Sequence, residues 1–153
     1  MKVLWVVAGA LITPDFKVLL SRRPEGKNLA GMWEYPGGKI EQGETPEQAL
    51  CRELNEELRL DVDARDLEPL SFASHGYDAF HLAMPLFVCR KWGGTPVGAE
   101  GQKLEFVDAE TVGLSETHPM PPADVSLSAA LRLWTARAKK MNLRSGGARR
   151  IVI

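Results

Sequence analysis

The alternation of apolar and polar residues predicts a chain built largely of β-strands. A run rich in β-branched and apolar residues covers 3–13, and a second run, 17–22, follows the turn residues Pro14 and Asp15. Two strands around a short polar turn predict a β-hairpin. Further strand-like runs, separated by turns rich in glycine and proline, are predicted at 32–35, 68–74, 81–91 and 103–107.

The clearest helix is predicted directly after residue 44. Thr45 is a favourable N-cap, Pro46 suits the first helical position, and Gln48 completes a capping box. At about 100° per residue, two stripes share this helix as far as about Arg59. One stripe is apolar and holds the helix to a core (Leu50, Leu54, Leu58), and the adjoining stripe is acidic (Glu53, Glu56, Glu57).

A second long helix is predicted near the C-terminus. Asp124 or Ser126 is expected to cap it, and its apolar positions continue to about residue 140. A short helix is also expected near Asp108. Strands outnumber helices, so the fold class is α+β. We predict a single domain over 1–140, followed by a basic, glycine-rich and flexible tail over 141–153.

The composition is that of an ordinary folded protein. Of 153 residues, 44% are hydrophobic and 25% are charged, which excludes a disordered or collagen-like chain. The 19 basic and 20 acidic residues give a net charge of −1, so stable binding of nucleic acid is not expected. The acidic residues are unevenly placed, because six of the 20 lie between Glu41 and Glu57.

Cysteine use and hydropathy predict a cytoplasmic protein. Cys51 and Cys89 lack CxxC spacing and a histidine cluster, so we expect two reduced, buried thiols, although one disulfide is formally possible. The longest apolar run, 3–12, is too short to span a bilayer and lacks the cleavage site of a signal peptide, so no membrane association is expected. No exposed apolar pattern indicates an oligomeric state, which stays open.

The acidic stripe of the first helix favours binding of a cation. Three carboxylates on one helical turn repel each other, and each exposed pair costs about a few tenths of a kcal/mol. Partial burial raises this cost unless a cation neutralises the charge. Hard divalent ions such as Mg²⁺ and Mn²⁺ prefer carboxylate oxygens, and Mg²⁺ is usually shared with substrate phosphates. The alternative is a solvated acidic surface without a ligand.

The spacing of residues 38–60 resembles the Nudix box. The pattern Gly38-x5-Glu44-x7-Arg52-Glu53-Leu54-x-Glu56-Glu57-x-x-Leu60 is similar to the family pattern Gly-x5-Glu-x7-Arg-Glu-U-x-Glu-Glu-x-Gly-U, in which U is aliphatic. The segments 33–41, 43–49 and 121–124 resemble the MutT-like branch of that family. One position departs from the pattern, because Arg59 stands where the family has a glycine. We expect either a left-handed backbone at Arg59 or a different helix end.

The resemblance implies a fold and an active site. The fold would be a mixed β-sheet sandwiched between α-helices. A water activated by metal would attack a phosphorus of a nucleoside triphosphate and release the monophosphate and pyrophosphate. The implied ligands of Mg²⁺, for which Mn²⁺ substitutes, are the Gly37 carbonyl, Glu53, Glu56, Glu57 and Glu100. The other implied catalytic residues are Arg52 and Glu44, which position the glutamates, and the general base would be Glu53, Glu56 or Glu100.

The same resemblance implies how a nucleotide substrate is bound. The expected substrate is 8-oxo-dGTP or a related nucleotide, and the expected role is to clear oxidised nucleotides. Ionised Asp124 only accepts hydrogen bonds, and it replaces an asparagine that reads the purine edge in the MutT-like branch. A CTP-preferring pyrophosphohydrolase and a module that senses nucleotides without hydrolysing them therefore stay open. The implied binding residues are Arg23, Tyr35, Gly38, Lys39 and Asp124.

Overall fold

The computed structural model describes residues 1–144 as seven strands and two helices, with one short 3₁₀ turn at Ala64–Asp66. The helices are α1, Pro46–Leu58, and α2, Pro122–Arg144. The strands are β1 Val3–Leu11, β2 Lys17–Arg22, β3 Trp33–Glu34, β4 Gly37–Lys39, β5 Leu67–Gly76, β6 His81–Cys89 and β7 Lys103–Asp108.

The strands form two sheets rather than one. The first is mixed and has the order β4-β1-β6-β5, in which only the β1–β6 pair is parallel. The second is antiparallel and has the order β3-β2-β7. The predicted hairpin of β1 and β2 is therefore wrong, since only an isolated bridge between Ile12 and Val18 joins these segments. Both sides of β1 are already occupied by β4 and β6, so β2 pairs elsewhere.

The mixed sheet lies between the two helices. Alternate residues of β1 point to opposite faces, as the period of a strand requires. Val7 and Leu11 pack in one cluster with the buried leucines of α1. Ala8 and Ala10 pack in a second cluster with Leu127 and Leu131 of α2. These two cores confirm the prediction of an α+β fold with a mixed sheet sandwiched between helices.

Helix α1 begins as its sequence predicts and ends in one of the two ways that the sequence left open. The Thr45 side chain accepts a hydrogen bond from the Gln48 amide, and the Gln48 side chain accepts one from the Thr45 amide, so the capping box is confirmed. At the other end, Arg59 is left-handed, with φ 59° and ψ 35°, and its amide donates to the Asn55 carbonyl. Arg59 thus adopts the backbone conformation that glycine favours.

Helix α2 begins earlier than predicted. It starts at Pro122, so the prediction that Asp124 or Ser126 caps it is wrong, and both residues lie inside the helix. The helix continues to Arg144, which includes residues 141–144 of the predicted tail. Residues 145–153 lie outside the described residues, and the division into a domain of 1–140 and a flexible tail stays a prediction. The predicted short helix near Asp108 is wrong, because turns follow β7 there.

Two further predictions concern the thiols and the membrane. Cys51 and Cys89 are free cysteines; Cys89 is buried as expected, whereas Cys51 is only half-buried. Within residues 1–144, no helix has the length and apolar character that a transmembrane helix needs.

Candidate active site

A cavity of about 360 Å³ opens where the two sheets and α1 meet. One end is formed by glycines of β4, by Glu57 of α1 and by Glu100. The other end is formed by Arg23 at the end of β2, by Glu34 and Tyr35 at the end of β3, and by Asp124 of α2. The cavity as a whole includes most of the predicted site, because its lining contains Arg23, Tyr35, Gly37, Gly38, Lys39, Glu57, Glu100 and Asp124. The remaining predicted residues do not line the cavity. They are Arg52 and the three glutamates that it contacts, Glu44, Glu53 and Glu56.

Gly37 and Gly38 allow β4 to approach its neighbours closely. Gly37 pairs with Ala8 of β1 and has φ 154°, and a Cβ there would collide with the Val7 carbonyl oxygen. A Cβ at Gly38 would collide instead with the carboxylate of Glu53. The glycine pair therefore has two separate functions, one in packing β4 against β1 and one in giving room to a glutamate of α1.

Arg52 holds Glu44 in a two-point ion pair. Its Nε lies 2.6 Å from one carboxylate oxygen of Glu44, and its Nη2 lies 2.9 Å from the other. The Glu41 amide donates to the same carboxylate at 2.9 Å. The Arg52 guanidinium, together with this amide, lowers the pKa of Glu44 to about 2. Glu44 is thus a fixed anion that orients Arg52.

The oriented guanidinium then reaches the glutamates of α1. Arg52 Nη1 lies 3.2 Å from Glu53 and 3.3 Å from Glu56. Its Nη2 donates to the Lys39 carbonyl at 3.0 Å, which ties α1 to the end of β4. Arg52 therefore links Glu44, Glu53 and Glu56, and its role in positioning metal ligands stays a prediction.

Glu57 is the most perturbed carboxyl group of the cluster. Burial raises its pKa well above the ordinary value, and the adjacent Glu53 and the charge of Glu100 add to this, while the Gly37 amide opposes it. Such crowding of carboxyl groups is relieved by a divalent cation, and carboxylate and carbonyl oxygens suit a hard ion. The residues present therefore fit a divalent metal.

The convergence of these ligands is incomplete. Within residues 1–144, no three carboxylate, histidine or cysteine groups are arranged as a formed metal site. Glu53 and Glu57 contact each other, whereas Glu56 contacts Arg52 and Glu100 is exposed on the cavity wall. A bound cation would have to draw Glu56 and Glu100 toward the Glu53–Glu57 pair.

The opposite end of the cavity is a network of buried polar groups. The Tyr35 amide donates to the Asp124 carboxylate at 3.1 Å, and the Tyr35 hydroxyl lies 2.6 Å from the Ser128 hydroxyl. Burial raises the pKa of Asp124 to about 7, and the nearby charge of Glu34 contributes in the same direction. The raised pKa lets Asp124 be protonated near neutral pH, and the protonated carboxyl group can donate a hydrogen bond.

Glu34 belongs to this end of the cavity, although the sequence prediction did not include it. It forms an ion pair with Arg23 at 3.2 Å, and burial raises its pKa. The local sequence gave no signal, because an acidic residue between the apolar Trp33 and Tyr35 is the ordinary alternation of a strand with one exposed face. The basic partner, Arg23, is eleven residues away and is brought close only by the pairing of β2 with β3.

The match to a known family settles what kind of protein this is. A profile described as a NUDIX domain matches residues 7–130. The chain belongs to the Nudix family. Its relatives and structural neighbours place it in the MutT-like branch as a Nudix hydrolase, which confirms the resemblance. Nudix hydrolases generally need a divalent metal ion.

Two relatives from Escherichia coli K12 cover nearly the whole of this Nudix hydrolase. An 8-oxo-dGTP diphosphatase is 35% identical over 133 residues, which are 86% of this chain and 98% of the relative. A CTP pyrophosphohydrolase is 36% identical over 140 residues, which are 90% of this chain and 98% of the relative.

Solved structures agree with these relatives. The solution structure of the E. coli ORF135 protein has a TM-score of 0.77 and 31% identity, and the match covers 90% of this Nudix hydrolase and 94% of that chain. A MutT structure from work on Aliivibrio salmonicida and Vibrio cholerae has a TM-score of 0.72 and 28% identity, covering 87% and 99%.

Proposed function

We propose that this Nudix hydrolase is a Mg²⁺-dependent nucleoside triphosphate pyrophosphohydrolase, for which Mn²⁺ can substitute. The observation that carries the proposal is the contact of the Glu53 and Glu57 carboxyl groups at the α1 end of the cavity, next to the Arg52–Glu44 ion pair. Relatives named for triphosphate substrates support it. The proposed cellular role is to remove oxidised or surplus nucleotides in the cytoplasm.

The proposed metal ligands share one end of the cavity. A divalent ion held there would neutralise phosphate charge and lower the pKa of a bound water. Arg52 and Glu44 hold the α1 carboxylates in position, and Gly38 and Lys39, which line the cavity, are the proposed contacts of the phosphates. The proposed ligands are the Gly37 carbonyl and the carboxylates of Glu53, Glu56, Glu57 and Glu100.

The reaction breaks one phosphoanhydride bond. A water oxygen forms a bond to phosphorus, the bond to the bridging oxygen breaks, and the products are the nucleoside monophosphate and pyrophosphate. The proton of the water passes to a carboxylate base, for which Glu53, Glu56 and Glu100 are the candidates. Arg52 is a positioning residue in this scheme, since it acts through the glutamates that it binds.

The polar end of the cavity is proposed to bind the base. We favour 8-oxo-dGTP or a related nucleotide, with Arg23, Tyr35 and Asp124 as binding residues and Glu34 as an addition. A CTP-preferring enzyme is the second candidate, and Asp124 favours it, because the ionised carboxylate only accepts hydrogen bonds and therefore suits a donor such as the amino group of cytosine. The 36% identity to a CTP pyrophosphohydrolase supports the same candidate.

A panel of 8-oxo-dGTP, dGTP, CTP and dCTP tests both proposals. Pyrophosphate release is measured with Mg²⁺, with Mn²⁺ and after chelation. We expect turnover that depends on metal, and the substrate with the highest kcat/KM identifies the preferred nucleobase. Asp124→Asn serves as the matched variant, because it should change the ranking of substrates more than the highest rate. Tight nucleotide binding without turnover would show a sensing module instead.

A further inference from the structure

Ser21 is a buried polar residue of the cavity wall that none of the roles above uses. It is 7% exposed, and its hydroxyl has no hydrogen-bond partner among residues 1–144. Two other buried hydroxyls in this part of the chain are paired, Ser128 with Tyr35 and Thr135 with the Leu131 carbonyl. Burial of an unpaired hydroxyl costs free energy, so this group points to a partner that a ligand supplies.

Strand geometry places the Ser21 side chain on the face of α1. Leu19, two residues earlier on β2, packs against the α1 leucines, and Leu104, directly opposite Ser21 on β7, packs against the same cluster. Residues two apart on a strand point to one face, and so do directly paired residues of antiparallel strands. Ser21 therefore faces the helix that carries Glu57, and both residues line the cavity.

Ser21 also adjoins the polar end of the cavity, because its partner on β3 is Glu34. A nucleotide with its base near Glu34 and Asp124 and its terminal phosphates near Glu57 would bring its sugar and first phosphate past β2. We propose that the Ser21 hydroxyl hydrogen-bonds an oxygen of the sugar or α-phosphate of the substrate. This inference rests on the proposed function and adds a substrate-binding residue to it.

The test compares Ser21→Ala with Ser128→Ala. Ser21→Ala removes a hydroxyl that has no partner in the described part of the chain, so the Tm of this variant should equal or exceed that of the wild type. Ser128→Ala removes a hydroxyl that contacts Tyr35 and the Asp124 carbonyl, so its Tm should fall. For Ser21→Ala, kcat/KM should fall roughly 2- to 10-fold, the effect of one neutral hydrogen bond.

Product inhibition locates the contact. Inhibition of Ser21→Ala by the nucleoside monophosphate should weaken by about the factor seen in kcat/KM, and inhibition by pyrophosphate should not change. Weaker inhibition by the nucleoside as well assigns the contact to the sugar, whereas an effect confined to the monophosphate assigns it to the α-phosphate. A loss confined to pyrophosphate inhibition would overturn the inference.

The remaining outcomes separate this inference from the proposed function. A loss of Tm in Ser21→Ala like that of Ser128→Ala, or an unchanged kcat/KM, would overturn the role of Ser21. A wild type that hydrolyses nucleoside diphosphate sugars or dinucleoside polyphosphates but no triphosphate would contradict the proposed function. The Ser21→Ala comparison on that substrate would then still decide the role of Ser21. A wild type that hydrolyses none of these would overturn both.

Discussion

The guanidinium of Arg52 binds both carboxylate oxygens of Glu44, at 2.6 and 2.9 Å, and reaches Glu53 and Glu56 with its remaining nitrogen. A lysine has a single ammonium and cannot span these groups together. Arg52→Lys should therefore lower kcat/KM roughly 10- to 100-fold, as removal of groups that orient metal ligands does, and raise the Mg²⁺ concentration at half-maximal activity. A Mg²⁺ titration of pyrophosphate release measures both effects.

Arg65→Lys is the control for this substitution. Arg65 also forms an ion pair, with Asp63 at 2.7 Å, but its side chain is 89% exposed and does not line the cavity. The activity and Mg²⁺ dependence of Arg65→Lys should match those of the wild type. Equal losses in the two variants would show that the effect comes from loss of an arginine in general and would contradict the positioning role of Arg52.

The two glycines of β4 should respond differently to alanine. Gly37→Ala places a Cβ against the rigid Val7 carbonyl in a backbone conformation that L-residues rarely adopt, so Tm should fall strongly. Gly38→Ala places a Cβ against the end of the flexible Glu53 side chain, which can move away. Gly38→Ala should therefore lower activity at a nearly unchanged Tm. Thermal denaturation and pyrophosphate release distinguish the two, and a reversed pattern would contradict the assignment.

Asp124 should make the stability of the wild type fall as pH rises. Burial raises its pKa to about 7, above the ordinary value of 3.8, so the folded protein keeps the proton after the unfolded chain has lost it. Stability from this group is thus present at low pH and lost as pH rises toward 7. Asparagine is neutral at every pH and accepts the same Tyr35 hydrogen bond.

The Tm of Asp124→Asn minus that of the wild type should therefore increase between about pH 4 and about pH 7.5. The other carboxyl groups with raised pKa values, such as Glu57, are present in both proteins and largely cancel in the difference. Thermal denaturation across this range measures it. A difference that is constant or shrinks with rising pH would contradict a raised pKa at Asp124.

Arg59 offers a test of helix-end strain. An L-residue in the left-handed conformation is strained by roughly 1 kcal/mol, and glycine is not. Arg59→Gly should raise the free energy of unfolding by about 0.5–1 kcal/mol, whereas Arg59→Ala, which keeps the Cβ, should not. Urea denaturation measures both variants. Equal free energies for glycine and alanine would show that the φ of 59° carries no strain.

The sequence was sufficient where the signals are local. The capping box at Thr45 and the stripes of α1 depend on residues within two turns, so the helix and its apolar stripe were predicted correctly. The left-handed Arg59 was only one of two alternatives, because it followed from the glycine of the family pattern and not from the local sequence.

The sequence was insufficient where distant segments decide the structure. The apolar pattern of β2 is the same whether it pairs with β1 or with β7, so the division into two sheets could not be read from it. The partners of Asp124 likewise depend on tertiary packing. Its bond to the Tyr35 amide spans 89 positions in the chain, and a helix cap was the simpler local alternative.

The most direct test of the proposed function is pyrophosphate release by Glu53→Gln under a Mg²⁺ titration. Glutamine keeps the size of the side chain but removes the charge that faces Glu57 and Arg52, so kcat should fall by at least roughly 10²- to 10³-fold while Tm is retained. Glu47→Gln, on the first turn of the same helix, should keep wild-type activity. Full Mg²⁺-dependent turnover by Glu53→Gln would contradict the mechanism.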